Sequence, residues 1–546
     1  MASSPRQARN TATEPSLAPP AQSRQVSSTE RTSSQKWLIA IAVMLGATLE
    51  VLDTSIVNVA LPHMQGSFSA SVDEITWVLT SYLVSNGIMI PLTGWISARY
   101  GRKRYFIASV GVFVIASGLC GAAQSLSEMV VFRLIQGAAG AAMIPSSQAI
   151  LMETFPPAEQ GLAMATWGIG LMAAPVLGPT LGGWITDNWN WRWNFYINLP
   201  VGTFAALMTY WFIEDPPYLR QARNHKAPVD YVAIICLTLG LGLLQIVLDR
   251  GQRSDWFSAP WVIYFTAIAV ISLIVLVVHE LHFSEPILDL SIAKIPQFDI
   301  SVLTIMAMVL VVFGQNLLNP LFMQDLLGYT AWKAGLAVAP RGFGTIAAML
   351  IVGQLSRRGY DTRWLVGTGF AMLAYATWLM AHWDLQVGMG NLFWPIVLSG
   401  AGSGLVFPTM SASTLACVER ERMGYAASLY NMMRNTGAAI GISFVTNLLS
   451  SRQQVHQAYL GQHFTPFTAS MMSHTAPRAP GSPSFNFMQG IITNHNTGLA
   501  LIYSVIVRQA ELLAYNDVYR YLAILAAVFV PVFLLLRKGS SAGVTH

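Results

Sequence analysis

The chain has 546 residues, of which 53% are hydrophobic and only 10% are charged. An ordinary soluble domain has about 25% charged residues, so this composition indicates a membrane protein. The formal net charge is +5, but the basic residues lie in short segments between apolar stretches, so nucleic-acid binding is not expected. The three cysteines all fall within apolar stretches, which argues against a disulfide framework.

Residues 1–35 are rich in Ser, Thr, Pro, Ala, Gln and Arg, which predicts a disordered cytoplasmic tail. Beyond them, long apolar stretches alternate with short polar segments. About 18 or more apolar residues form a membrane-spanning helix, whereas the strands of a membrane barrel alternate apolar and polar residues. These stretches are apolar all round and predict an all-α membrane protein with fourteen spans, near residues 37–61, 75–98, 104–123, 128–150, 159–184, 196–214, 230–249, 260–282, 298–320, 333–356, 363–382, 391–417, 424–450 and 519–537.

An even number of spans places both termini on the same side of the membrane. Short cytoplasmic loops carry an excess of Lys and Arg. With cytoplasmic termini, about 20 basic residues lie inside and seven lie outside. This asymmetry predicts that both termini are cytoplasmic and that the chain is a multi-pass protein of a bacterial inner membrane.

Two similar loops divide the chain into halves. The basic segment 94–102 follows span 2, and a weaker copy at 353–359 follows span 10. Internal repeats of this kind are typical of secondary transporters. The predicted organisation is a cytoplasmic tail (1–35), a six-helix bundle (36–215), two extra helices with linkers (216–290), a second six-helix bundle (291–538) and a cytoplasmic tail (539–546).

The second bundle contains the one long predicted loop, residues 451–518, on the periplasmic side. It is polar, contains Pro and Gly, and has an amphipathic, helical-looking part at 497–515. Two interpretations remain open: a flexible connector, and a docking surface for a periplasmic partner.

Span 1 carries two acids, Glu50 and Asp53, that share a helix face because they are three residues apart. A charged group in the membrane is costly and is by default a functional hypothesis. An acid that titrates near neutral pH could carry protons across the membrane. The alternative is that Asp53 pairs permanently with a cation or caps a kink.

Span 4 carries Arg133, for which the two acids of span 1 are candidate partners. Such a pair could open when the acid is protonated, or it could be a fixed structural ion pair. Other polar side chains could line a substrate cavity or form hydrogen bonds between helices, the latter being favoured for each singly in span 9. The tentative cavity residues are Asn58, Gln136, Gln315, Asn316, Asn431 and Arg434.

Two further motifs concern conformation. Glycines and prolines in span 5 bend the helix and permit close packing, which suits a rocking interface. The basic turn after span 2 fixes orientation and can contact acidic lipid. The residues of these motifs are Gly94, Arg99, Gly101, Arg102, Gly178, Pro179, Gly182 and Gly183. No phosphate-binding loop or metal motif occurs in the sequence, so neither an enzyme nor a cofactor is expected.

These motifs resemble the major facilitator superfamily, and within it the fourteen-span drug:proton antiporters of the EmrB type. Residues 52–62 match the span 1 motif, and Arg133, Gln136 and Gly137 match the span 4 motif. The Gly and Pro residues of span 5 match the antiporter motif, and residues 248–251 look EmrB-like. Segment 94–104 departs from its motif at Ala98, where many members have Asp, so an acidic latch is in doubt there.

The resemblance implies a major facilitator fold of six, two and six helices. It also implies proton-coupled export of hydrophobic or amphipathic drugs and toxic compounds. It further implies a tripartite efflux system with a periplasmic membrane-fusion adaptor similar to EmrA and an outer-membrane channel similar to TolC. The alternative function is export of one endogenous metabolite or fatty acid. A receptor or scaffold without transport is a rival of another class, and the span 5 motif disfavours a nutrient symporter.

Overall fold

The computed structural model describes residues 33–215, 229–251, 254, 256–283, 286–358, 360–361, 363–462 and 495–536. Within these ranges the regular structure is helical throughout. The predicted tails therefore lie outside the described residues, except that 33–35 already belong to the first helix.

The described part of the chain contains fourteen long helices that pack in an antiparallel bundle. They are α1 (Ser33–Phe68), α2 (Trp77–Tyr100), α3 (Arg102–Ala122), α4 (Leu126–Thr154), α5 (Pro157–Asn188), α6 (Asn198–Phe212), α7 (Tyr231–Arg250), α8 (Pro260–His282), α9 (Pro296–Leu321), α10 (Lys333–Arg357), α11 (Arg363–Met380), α12 (Met389–Ala416), α13 (Met423–Gln462) and α14 (His495–Val528). Ten are long and apolar enough to cross a membrane on length and composition alone, and α2, α6, α11 and α13 pack among them. The predicted all-helical architecture of six, two and six spans is confirmed.

Prolines and a glycine shape the helices locally. Helix α4 is interrupted by a turn at Ala141 and Ala142. Pro145 explains this break, because its ring excludes a regular helical hydrogen bond to residue 141. At the turn between α2 and α3, Gly101 has a φ of +93°, a conformation that favours glycine.

We call the side on which α1 begins and the described residues end at Leu536 the terminal face. There Lys36 forms an ion pair with Glu159 at the start of α5 (3.7 Å), and Arg363 at the start of α11 donates to the carbonyl of Leu536 (3.1 Å). On the opposite face, Trp191 donates from Nε1 to the hydroxyl of Ser67 at the end of α1 (2.9 Å). These contacts tie helix ends together at both faces.

The two six-helix halves pack together toward the terminal face. Gly94 of α2 lies against the backbone of α13 so closely that a Cβ there would be 2.8 Å from Cα of Tyr425. Nearer the centre, the ring of Trp167 in α5 stacks on Phe407 in α12 at 6.0 Å. Toward the opposite face, Leu177 of α5 is 52% exposed. The structure is therefore a conformer with its halves joined at the terminal face.

Helices α7 and α8 lie at the rim of the bundle. Gly240 of α7 fits against Leu273 of α8, and Gly242 fits against Ile88 of α2. Most of α8 is exposed, including Tyr264. The extra helices thus add to the outside of the first half, beside α13.

Helices α13 and α14 are longer than the sequence indicated. The predicted loop 451–518 is in fact helical up to Gln462 and again from His495, and 463–494 lie outside the described residues. At about 1.5 Å per residue, the 40 residues of α13 span about 60 Å, twice the hydrocarbon core of about 30 Å. Apolar composition identifies contact with lipid rather than helicity, so the continuation of α13 to Gln462 was missed, whereas the helical-looking part at 497–515 lies within α14.

The polar continuation is held by side-chain contacts between the two helices. His456 contacts Asp517 at 2.8 Å, Gln457 donates to the hydroxyl of Tyr503 at 3.0 Å, and Arg452 contacts Tyr521. We call residues 451–462 and 503–518 the projecting pair.

The closed terminal face predicts a specific cross-link. Ser97 Oγ lies 3.2 Å from the position of a Cβ on Gly424, which is within the geometry of a disulfide. In a background of C120A, C236A and C417A, we expect S97C and G424C to cross-link on mild oxidation, as detected by mass spectrometry of the joined peptides. The control pair N58C and G424C should not cross-link, because Asn58 lies in the other half of the membrane span. An unlinked S97C/G424C pair would contradict this conformer.

Candidate functional site

A buried ion pair lies at the centre of the first half. Asp53 of α1 accepts a hydrogen bond on Oδ2 from Nη1 of Arg133 in α4 at 2.5 Å. Both side chains are 0% exposed. Of the two acids predicted as partners for this arginine, Asp53 is the one in contact.

Other side chains complete the surroundings of both charges. Oδ1 of Asp53 accepts from Asn198 of α6 at 2.7 Å and from Gln136 of α4 at 2.9 Å. Arg133 also donates from Nε to the carbonyl of Val78 at 3.1 Å, and its guanidinium lies 4.2 Å from the ring centre of Tyr82. Four helices therefore hold the ion pair, and a buried pair of charges needs this many partners to be stable.

Glu50 lies one turn closer to the terminal face and has different partners. It is 6% exposed and accepts from Nδ2 of Asn86 in α2 at 2.9 Å. The backbone N–H of Ile144, which the break in α4 frees from the helix, also faces this carboxyl group. Among the described residues, no cation lies within hydrogen-bond distance of Glu50, and Arg434 acts on it only at longer range.

Polar contacts connect this region to the second half. Asn435 of α13 donates to Oδ1 of Asn86 at 3.5 Å and accepts from Arg434 at 3.4 Å. One turn nearer the terminal face, Asn431 donates to Oε1 of Gln148 in α4 at 2.5 Å. The structure thus brings the predicted residues Asn431 and Arg434 to the junction of the halves.

The remaining predicted cavity residues lie apart from this network. Asn58 is exposed in the opposite half of α1. Gln315 is buried, and it donates to Thr377 at 2.6 Å and accepts from Ser399 at 2.5 Å, so it forms hydrogen bonds between helices. Its neighbour Asn316 is exposed and accepts from Arg341.

The basic turn after α2 finds acids elsewhere in the chain. Arg102 forms an ion pair with Glu153 at the end of α4 at 2.5 Å, and Asp215 accepts from the backbone of Lys103 at 2.7 Å. Arg99 lies over the ring of Trp95 at 5.4 Å. Although position 98 carries no acid, the basic turn thus contacts one acid at the end of α4 and another that follows α6.

The motif of α5 packs on α1 close to the ion pair. A Cβ on Gly182 would lie 3.1 Å from the carbonyl of Ile56, and Gly178 fits against Ser55. Gly183 faces Val59 at ordinary contact distance, and the side chain of Pro179 lies outside the described part. The glycines thus let α5 lie directly against the helix that carries both acids.

Sequence reasoning missed several polar partners of the predicted residues. They are Asn86, Gln148, Glu153, Asn198 and Arg341. Each is a polar residue within or at the end of an apolar stretch, which is a signal visible in the sequence. Within the described residues, no group of three or more His, Cys, Asp or Glu is placed to hold a metal ion.

The fold and these motifs agree with the comparisons to known proteins. The chain belongs to the Major Facilitator Superfamily, whose family model matches residues 43–442. It is 38% identical over 436 residues to the multidrug export protein EmrB of Escherichia coli (strain K12), which covers 80% of this chain and 84% of that protein. It is 34% identical over 505 residues to the fatty acid resistance protein FarB of Neisseria gonorrhoeae, which covers 92% of this chain and 97% of that protein.

Among solved structures, the human organic anion transporter MFSD10 has a similar fold. Its TM-score is 0.57 at 14% identity, and the match covers 90% of this chain and 99% of that chain. The resemblance to the EmrB-type group seen in the motifs is confirmed, and the chain is a multi-pass membrane protein of a transporter family.

The buried ion pair predicts that removing its cation alone destabilises the protein more than removing both charges. R133M leaves the Asp53 carboxylate buried without its cation, which should destabilise the fold by about 3–5 kcal/mol. D53N/R133M removes both charges and should recover most of this loss. Thermal unfolding in detergent, followed by tryptophan fluorescence, measures both effects.

The control is R520M, which removes the cation of an exposed pair with Asp517 and should change stability by about 1 kcal/mol or less. A double variant no more stable than R133M would contradict the prediction.

Proposed function

We propose that this chain is a proton-coupled antiporter that exports hydrophobic or amphipathic drugs and toxic compounds across the bacterial inner membrane. The similarity to EmrB of Escherichia coli supports drug export. The buried pair of Asp53 and Arg133 is the observation that carries proton coupling, because an intramembrane ion pair with a titratable member can exchange its cation for a proton.

In this proposal, residues 36–215 and 291–538 are two halves that rock around a central cavity. Protonation of Asp53 or Glu50 releases Arg133 or changes the contact through Asn86 to α13, and substrate binding competes with it. Because only one ligand is held at a time, proton entry and substrate exit are coupled. The close approach of Gly94 to α13 and of Gly182 to α1 supports rocking of rigid helices on one another.

We place both termini in the cytoplasm. The excess of Lys and Arg in the segments on the terminal face supports this orientation. The conformer described above then has its cytoplasmic side closed, and exposed side chains such as Asn58 face the periplasm.

The proposed coupling predicts that the acids of α1 are needed for transport driven by a pH gradient. In proteoliposomes loaded with ethidium, D53N and E50Q should each lower pH-driven transport by at least about tenfold, equivalent to about 1.4 kcal/mol of lost coupling. Exchange of ethidium at equal pH should persist, because it requires no net proton movement. D384N, which alters an exposed acid outside the spans, is the matched control. Wild-type transport by D53N/E50Q would remove these acids from the mechanism.

We further propose that the projecting pair docks a periplasmic membrane-fusion adaptor similar to EmrA, which connects to an outer-membrane channel similar to TolC. Residues 451–462 continue α13 as a polar helical segment, and side-chain contacts to α14 hold it in place. On this segment Val455 is 52% exposed and Tyr459 is 60% exposed. Tyrosine is among the residues enriched as anchors in protein interfaces, and the neighbouring valine adds apolar contact area.

The docking proposal predicts separate effects on assembly and on transport. V455A/Y459A should reduce co-purification of a co-expressed EmrA-like adaptor by at least about fivefold, as expected for loss of anchor residues. Ethidium transport in proteoliposomes without an adaptor should be unchanged. Y264A/V270A alters exposed residues of α8 and should leave co-purification intact. Equal adaptor recovery with V455A/Y459A and with wild type would contradict the docking site.

A second candidate function is export of fatty acids. The observation that favours it is the 34% identity to FarB, which extends over 92% of this chain. Transport assays with a panel of unrelated substrates distinguish the two, since a dedicated exporter would recognise one chemical class.

A further inference from the structure

Arg341 of α10 is a membrane-embedded cation whose contacts differ from those of Arg133 and Arg434. Arg133 has an ion pair with Asp53, and Arg434 lies in the field of Glu50. None of the carboxylates in the described residues forms an ion pair with Arg341. Its Nη1 donates to Oδ1 of Asn316 in α9, and its Nη2 is shielded from solvent and donates to none of the described residues.

The helix that carries Arg341 packs directly on α12. A Cβ on Gly400 of α12 would lie 2.1 Å from the backbone carbonyl oxygen of Arg341, so only glycine permits this approach of the two backbones. The hydroxyl of Thr345, one turn along α10, donates to the carbonyl of Gly400 at 3.0 Å and fixes the two helices at this point. From this fixed position the guanidinium of Arg341 reaches Asn316 of α9, whose side chain is exposed.

An arginine in this position needs an anion. A charge held in the membrane without its counterion costs several kcal/mol, and such residues mark ligand pathways. The planar fork of a guanidinium matches a carboxylate, which it binds through two parallel N–H groups. Arg341 has one N–H-bearing nitrogen without a described partner, and the amide of Asn316 adds a further donor beside it.

We propose that Arg341 and Asn316 form a binding subsite for the anionic head group of a single-chain amphiphile, with a carboxylate as the fitting group. The inference rests on the proposed function, since it names the class of substrate that an exporter of amphipathic molecules would take at this place. Neutral and cationic substrates would occupy the rest of the cavity without this contact.

Binding to purified protein in phosphatidylcholine nanodiscs tests the subsite directly. Three probes share one chain length and differ in head group: dodecanoate, dodecanol and dodecylammonium. R341Q should weaken dodecanoate binding by at least about tenfold, the effect of losing a charge-assisted pair of hydrogen bonds, and should change dodecanol binding by less than about twofold. R341K keeps the charge but not the fork and should be intermediate. N316A should weaken dodecanoate binding by a smaller factor.

The control is R520Q, which removes an exposed arginine on α14 and should bind all three probes as wild type does. Unchanged dodecanoate affinity in both R341Q and R341K, or equal loss for dodecanoate and dodecanol in R341Q, would overturn the proposal. N316A tests the same site without altering the charge. The proposal can therefore still be tested if R341Q misfolds.

Two further measurements distinguish a substrate subsite from a lipid site and from a general loss of transport. If phosphatidylglycerol in the nanodisc abolishes dodecanoate binding, the site belongs to a lipid head group and the substrate proposal fails. In proteoliposomes, R341Q should still move ethidium, a cation, under a pH gradient. Absence of ethidium transport by the wild type would overturn the proposed function, whereas the dodecanoate titration would still decide the subsite.

Discussion

The hydrocarbon interior of a membrane supplies no hydrogen bonds, and this constraint governs every polar group in the bundle. Asp53 is tolerated there because Arg133, Gln136 and Asn198 meet its two oxygens from two other helices. The break in α4 leaves the N–H of Ile144 without a helical partner, and this N–H faces the carboxyl group of Glu50. The same constraint explains why polar residues at the junction of the halves meet each other in pairs, such as Asn431 with Gln148.

Glycine determines where the helices can approach and therefore where they can move. Gly94 brings α2 onto the backbone of α13 at the terminal face, while Gly182 brings α5 onto α1 beside the ion pair. Gly400 has the same effect in the second half, where it lies against the backbone carbonyl of Arg341 in α10. Small residues at these positions permit close approach of the helix backbones.

The sequence predicted the spans well and the side-chain partners poorly, for different physical reasons. Apolar composition reports contact with lipid directly, so α1 to α12 were placed close to their observed positions. Apolar composition does not identify a helix that continues into water, so the polar end of α13 was assigned to a loop, and only the amphipathic pattern at 497–515 indicated the helical part of α14. The candidate pair of Asp53 with Arg133 followed from the cost of lone charges in lipid, and these two residues do meet.

Which way a polar side chain points depends on the neighbouring helix. For this reason the sequence did not predict the other side-chain contacts. Gln315 and Asn316 are adjacent, yet one bonds within the second half and the other meets Arg341. Arg102 pairs with Glu153 at the end of another helix, a partner that the sequence did not indicate. Such pairings follow from the packing of the bundle and cannot be read from spacing along one helix.

The strength of the contacts between the halves bears on whether a proton could drive the proposed rocking. Two neutral hydrogen bonds cross the junction near mid-membrane, Asn435 to Asn86 at 3.5 Å and Asn431 to Gln148 at 2.5 Å. Each such bond contributes about 0.5–1.5 kcal/mol net, so separating both costs roughly 1–3 kcal/mol. A proton crossing a membrane potential of 100 mV releases about 2.3 kcal/mol. The two quantities are of the same size, whereas a charged pair such as Asp53 with Arg133 placed across the junction would resist opening more strongly. Asp53 and Arg133 instead both belong to the first half, so this ion pair does not hold the two halves together.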